Sequence, residues 1–150
     1  MFIKQAELFE GVSAGAKHLI ESRGTRQTCK AGDLIFQEGG VGHFFYMLED
    51  GKVDLYIGKQ EEARFLVFYP GEIFGWSALI GTHGYLATAR CVADSIVARI
   101  PTSAVDELLK DYPLDGQLLY KNLAAILGER LIGMYHQHLP RSEYQAPSYG

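Results

Sequence analysis

The chain has 150 residues, 47% hydrophobic and 21% charged, with a formal net charge of -4, the size and balance of one globular domain that buries a core without metal or disulfide staples. With no Lys/Arg cluster, broad electrostatic attraction to nucleic acid is set aside, and no apolar run approaches the roughly 20 residues that cross a bilayer, so no membrane contact is expected. The two cysteines, Cys29 and Cys91, form no Cys-x-x-Cys pair and residues 1–5 carry no signal-peptide pattern, which together predict a cytoplasmic location.

In chain order, residues 6–23 read as a helical segment, because Leu8, Phe9, Val12, Ala16, Leu19 and Ile20 recur at spacings of three and four. Ser13 is placed to cap a second helical turn and Gly24 to end the segment. From about residue 25 to 100 the pattern changes to short β-rich runs separated by turn signals every eight to twelve residues. The runs are 34–36, 43–48, 52–57, 65–69, 85–91 and 95–100, and the Asp50-Gly51 pair predicts a type I′ hairpin between the second and third of them. Roughly eight short strands of this kind predict a mainly β jelly roll, closed or in two sheets. Helix returns over 103–110, where Ser103 and Asp106 resemble a capping box. A long helix is predicted over 113–139, with Pro113 in its first turn and Pro140 as its stop. Residues 140–150 read as a flexible tail.

Three motifs in order carry a family resemblance. Glu38-Gly39, Gly42 and the run Phe45-Tyr46 through Gly51 and Val53 come first. Pro70-Gly71-Glu72-Ile73-Phe74-Gly75-Trp76-Ser77-Ala78-Leu79-Ile80 follows, and Ala87-Thr88-Ala89-Arg90-Cys91 comes last. Over about residues 8–138 the chain resembles the cyclic nucleotide-binding domains, and within them the sensor domains of Crp–Fnr type. That resemblance implies a double-stranded β-helix jelly roll with an N-terminal helix and a long C-terminal helix. It also implies a phosphate-binding cassette whose short helix, from Trp76 to Ile80, turns free N–H groups toward a ligand. The ligand-binding candidates are Phe74, Gly75, Trp76, Ser77, Ala78, Tyr85, Leu86, Ala87 and Thr88, and the implied effector is a cyclic nucleotide or another small molecule.

The cassette departs from the family pattern. Trp76 stands where the resemblance implies a ribose-binding Glu, Tyr85 where it implies a phosphate-binding Arg, and Leu86 where it implies a hydroxyl donor. Loss of an Arg–phosphate pair removes charge-assisted hydrogen bonds of about 1.5–3 kcal/mol each. His83 is the one nearby side chain able to become cationic, and Arg90 has the wrong strand parity to replace Tyr85. The sequence therefore predicts a degenerate cassette that does not take cAMP in the usual way. Phe74, Trp76, Tyr85 and Leu86 either line an altered, more apolar pocket or fill the roll and close it.

On the long helix, Tyr120, Leu123, Ala124, Leu127, Leu131, Met134 and Tyr135 make a broad apolar face. Leu114, Leu118, Ala125 and Ile132 make a narrower one, with Asn122, Glu129 and His136 on the polar side between them. One face docks on the roll; the other predicts a homodimer, with Leu118, Ala125 and Ile132 as its contacts.

No catalytic constellation stands out, so the chain reads as a regulatory ligand sensor rather than an enzyme. A ligand-free dimerising scaffold is the alternative. A cupin-type metalloprotein is a weaker one, since the histidines do not cluster and His136 and His138 do not share a helix face. Each cysteine reads as a small buried hydrophobe. About ten residues follow position 139, too few for a helix-turn-helix, so direct DNA binding is not expected.

Overall fold

The central strand of the molecule is built from an unbroken apolar run, Phe45-Tyr46-Met47-Leu48, every residue of which is buried. Successive side chains of a strand point to opposite faces, so a run of this kind needs a core on both sides. Both cores exist. Phe45 and Met47 face one with the helices, and Tyr46 and Leu48 face another between two sheets. Burying a large apolar side chain fully contributes about 1.5–3 kcal/mol, so both faces of this strand are strongly held.

In the computed structural model, residues 6–59, 63–81 and 84–138 are described. His83, Leu139 and the tail expected at 140–150 lie outside the described residues. A 3₁₀ turn, Glu7–Phe9, precedes α1 (Ala14–Arg23). The strands are β1 (Thr25–Cys29), β2 (Leu34–Phe36), β3 (Phe44–Asp50), β4 (Val53–Ile57), β5 (Ala63–Val67), β6 (Ile73–Phe74), β7 (Thr88–Cys91) and β8 (Ser95–Pro101). A second 3₁₀ turn, Trp76–Leu79, sits between β6 and β7, and α2 (Thr102–Asp111) and α3 (Pro113–His138) complete the chain.

The strands pair antiparallel in two four-stranded sheets, ordered β1-β8-β3-β6 and β2-β7-β4-β5. This is the expected jelly roll. The core between the sheets holds Leu48, Val53, Val67, Phe74, Val97 and both cysteines, Cys29 and Cys91. The outer face of the β1-β8-β3-β6 sheet, through Met47, Ala98 and Ile100, is covered by Ala16 and Ile20 of α1, Val105 and Leu108 of α2, and Leu119 and Leu123 of α3. Arg23 of α1 makes a bidentate pair with Glu107 of α2. A Cβ at Gly116 would collide with Leu109, so α2 and α3 meet backbone to side chain there.

Several local expectations are corrected. The segment 6–23 is not one helix. It breaks between the 3₁₀ turn and α1, and Ser13 caps α1, its side chain accepting from the Ala16 N–H at 3.3 Å. Asp50-Gly51 does not form a type I′ hairpin. Asp50 has no positive φ and ends β3, while β4 belongs to the other sheet, so the pair turns a corner between sheets. Gly51 is needed there because its φ is +105° and a Cβ would run into Ser95. Ser103 and Asp106 form no capping box, because α2 begins one residue earlier with Pro101 as its N-cap and no side-chain cap.

Asn122 does not lie on a polar outer side of α3 either. Its side-chain N–H groups donate to the carbonyls of Leu8 and Glu10 at 3.0 and 2.9 Å, pinning the N-terminal 3₁₀ turn. At the start of α3, Asp115 accepts from the Ser13 N–H and hydroxyl at 2.9 and 2.6 Å.

Candidate functional site

Between β6 and β7 the chain leaves the sheet and returns, and Gly75 is the pivot. Its φ is +71°, and a Cβ there would lie 3.1 Å from Phe36 and 3.2 Å from Tyr46. Only glycine combines that conformation with that closeness. The 3₁₀ turn Trp76–Leu79 follows at once. Two hydrogen bonds from α3 bracket this cassette. The Arg130 guanidinium donates to the Ile73 carbonyl at 2.6 Å just before it, and the Tyr120 hydroxyl donates to the Leu79 carbonyl at 2.9 Å at its end.

The arrangement encloses a cavity of about 400 Å³. One wall comes from the β2-β7-β4-β5 sheet, through Phe36, Leu55 and Phe65. A second comes from the cassette, through Gly75, Trp76 and Ser77, and a third from Leu86 and Ala87 ahead of β7. The last is α3, through Leu127, Arg130, Leu131 and Met134. Apart from Arg64, Arg130, Tyr56 and Ser77 the lining is apolar, and the volume falls in the range of small-molecule sites.

The two arginines differ. Arg64 is half-exposed and its guanidinium lies 3.0 Å from the carboxylate of Asp54, which is fully buried. Its charge is matched. Arg130 has a side chain only 15% exposed. Its guanidinium lies over the Phe65 ring at 4.7 Å, and among the described residues its ion-pair partner is Glu72, 3.9 Å away. Glu72 is held elsewhere, its Oε1 accepting from the Phe68 and Tyr69 N–H groups. Burial pulls the Arg130 pKa down, while the charges of Glu72 and Glu7 push it back up. Arg130 also borders a second cavity of about 400 Å³, whose lining includes Glu7, Glu72 and Glu129.

Of the nine residues expected to bind ligand, the structure brings five to the cavity: Gly75, Trp76, Ser77, Leu86 and Ala87. The other four lie elsewhere. Phe74 is fully buried and stacks with Tyr46, ring centroids 5.3 Å apart. Tyr85 is buried in the roll, stacked on Phe36 at 3.9 Å, and donates its hydroxyl to the Phe44 carbonyl at 2.7 Å. Burial raises its pKa, against the lowering effect of that hydrogen bond. Ala78 sits behind the cassette, where Gly42 leaves no more than van der Waals room for it. The Thr88 hydroxyl accepts from the Glu38 N–H at 3.0 Å. Phe74 and Tyr85 thus fill the roll, while Trp76 and Leu86 line the cavity.

Sequence reasoning missed Phe36, Leu55, Phe65 and above all Arg130, having named His83 as the nearby cation. The signal was present on the helix, since Leu127, Arg130, Leu131 and Met134 are spaced by three, four and seven and so share one face. Of the residues expected at a dimer contact, Leu118 is half-buried against the helical core, Ala125 is exposed and Ile132 is half-buried. Among the described residues no three His, Cys, Asp or Glu side chains gather to hold a metal ion, and no helix is long and apolar enough to cross a membrane.

Comparison with known proteins bears on the same segment. The family model described as "Cyclic nucleotide-binding domain" matches residues 26–112. A cyclic AMP receptor protein of Thermus thermophilus is 31% identical over 132 residues, and this chain spans 86% of its own length but only 59% of that relative. The sensor domain of the transcriptional regulator DNR from Pseudomonas aeruginosa superposes with a TM-score of 0.70 at 23% identity, covering 99% of this chain and 98% of that one. A cyclic nucleotide-binding domain from Methylobacillus flagellatus does so with a TM-score of 0.78 at 18% identity, covering 97% and 83%. The two superpositions show a shared fold.

Proposed function

Because the chain belongs to the cyclic nucleotide-binding domain family, we propose that it is a cytoplasmic, non-catalytic sensor domain that takes a small effector into the cavity under α3 and passes the event to that helix. The observation that carries this reading is the bracketing of the cassette by Arg130 and Tyr120. A ligand that reshapes residues 73–79 acts on both carbonyls that hold α3. Such a switch needs only that the ligand prefer one of two helix positions.

The cassette is degenerate in this reading. Trp76 and Leu86 present apolar surface to the cavity, and Tyr85 is committed to the roll. No cassette side chain supplies the positive charge that a cyclic phosphate needs, so cAMP is not held in the usual way. The output is a homodimer through the outer face of α3, where Ala125 and Ile132 lie near exposed Tyr135. An apolar helix face of this kind calls for a partner.

A thermal-shift titration of the whole chain with cAMP, cGMP and a panel of metabolites tests the reading. A ligand bound only by the folded state stabilises it by about 2.7 kcal/mol at a hundredfold excess over Kd. A shift with a metabolite but not with cAMP or cGMP is the expected result. A shift with cAMP overturns the degenerate cassette. A flat response throughout favours a ligand-free dimerising scaffold.

A further inference from the structure

We propose that Arg130 is the anion anchor of the cavity under α3, and that the effector is an apolar molecule carrying one acidic group. The inference rests on that cavity being a ligand site, and adds the chemical class of what enters it.

Three observations converge. The first is the charge itself. The Arg130 side chain is only 15% exposed, and a charge taken out of water is costly unless it is paired and hydrogen-bonded. Among the described residues Arg130 makes one hydrogen bond, to the neutral carbonyl of Ile73. Glu72, at 3.9 Å, is beyond hydrogen-bond distance and is turned toward the Phe68 and Tyr69 N–H groups.

The second is orientation. The guanidinium lies over the Phe65 ring, an arrangement that uses its face and leaves the N–H donors at its edge for acceptors lying in its plane. Carboxylate, sulfonate and phosphate oxygens meet that fork two at a time.

The third is the contrast between the walls. The cavity under α3 is lined by Phe36, Leu55, Phe65, Trp76, Leu127 and Leu131. The second cavity, which shares Arg64, Phe65, Arg130 and Met134 with it, adds Glu7, Glu72 and Glu129, which repel an anion. Arg64, the other cation of the apolar cavity, is already matched by Asp54. An acidic group therefore gains most at Arg130 with its apolar body turned toward Trp76.

A matched pair of probes reads this directly. 1-Anilinonaphthalene-8-sulfonate and N-phenyl-1-naphthylamine share one ring system and differ in the sulfonate. Trp76 is the chain's only tryptophan, so quenching of its emission reports binding at this cavity. In the whole chain, Arg130→Met is expected to weaken the sulfonate probe about tenfold to a hundredfold, the loss of one charge-assisted pair. The neutral probe should change less than twofold, which also shows that the variant is folded. Arg130→Lys, which keeps the charge but not the fork, should fall between. If Arg130→Met leaves both probes unchanged, or weakens both alike, the anchor is overturned while the cavity stands as a ligand site. If neither probe quenches Trp76 in the unaltered chain, the ligand site itself falls, and the anchor with it.

Discussion

The Tyr120 hydroxyl of α3 donates to the Leu79 carbonyl at 2.9 Å, joining the helix to the last residue of the cassette turn across 41 positions of sequence. Tyr120→Phe keeps the ring in the helical core and removes that bond. The expected cost is about 1 kcal/mol, or a Tm lower by about 3 °C for a chain of this length. The same variant should bind effector with little change in affinity but a smaller response at α3, measured by hydrogen exchange of the helix with and without ligand.

Gly75 and Gly39 separate backbone strain from crowding. Both have positive φ, +71° and +83°, but a Cβ at Gly39 meets nothing within 4 Å while one at Gly75 meets Phe36 and Tyr46. Gly39→Ala is expected to cost about 1 kcal/mol, from conformation alone. Gly75→Ala should cost about 2–4 kcal/mol, since overpacking adds to the same strain. Urea midpoints of the two variants check the difference, and equal midpoints would remove the steric role assigned to Gly75.

Stability should fall in alkali. The Cys91 thiol is pushed up to about 12 from 9.0, mainly by burial and then by Cys29, and the Tyr46 phenol to about 12 from 10.0, mainly by burial and then by Tyr85. Below pH 9 both groups are protonated folded or unfolded, and their contribution is constant. Between pH 9 and 12 the unfolded chain gives up these protons while the folded chain keeps them, so stability declines by up to about 1.4 kcal/mol per pH unit for each group. Denaturant titrations from pH 8 to 11 measure the slope. Cys91→Ala should flatten it between pH 9 and 10, before the tyrosine begins to contribute.

The outer face of α3 gives a test of assembly. Ala125→Glu with Ile132→Glu should convert a dimer to a folded monomer in sedimentation, with unchanged far-UV circular dichroism. Leu118→Glu should instead destabilise the fold, because Leu118 is half-buried against the helical core and its methyl lies against Gly11. A monomeric unaltered chain at micromolar concentration would remove the dimer.

The fold was legible because its signals are local. Alternation and turn residues marked the strand runs, and spacings of three and four marked the helices. What stayed hidden depended on partners far away in sequence. Asp50-Gly51 carries the letters of a hairpin, and only the pairing of β3 with β8 and of β4 with β7 makes it a corner. Asn122 looked like surface because its partners, the carbonyls of Leu8 and Glu10, are more than 110 residues away. In the candidate site, Trp76 and Leu86 were legible from the cassette motif. Arg130 was not, because the cavity it enters is closed by Phe65, Leu55 and Phe36 from three other segments.

The two-sided strand β3 has a consequence for how the molecule comes apart. Phe45 and Met47 belong to the helical core and Tyr46 and Leu48 to the core of the roll, so neither core can open while the other keeps this strand in register. Helix loss followed by circular dichroism and exposure of Trp76 followed by fluorescence should therefore trace one cooperative transition with a common midpoint. A strand that serves two interiors makes the roll and the helices that flank it a single unit of folding.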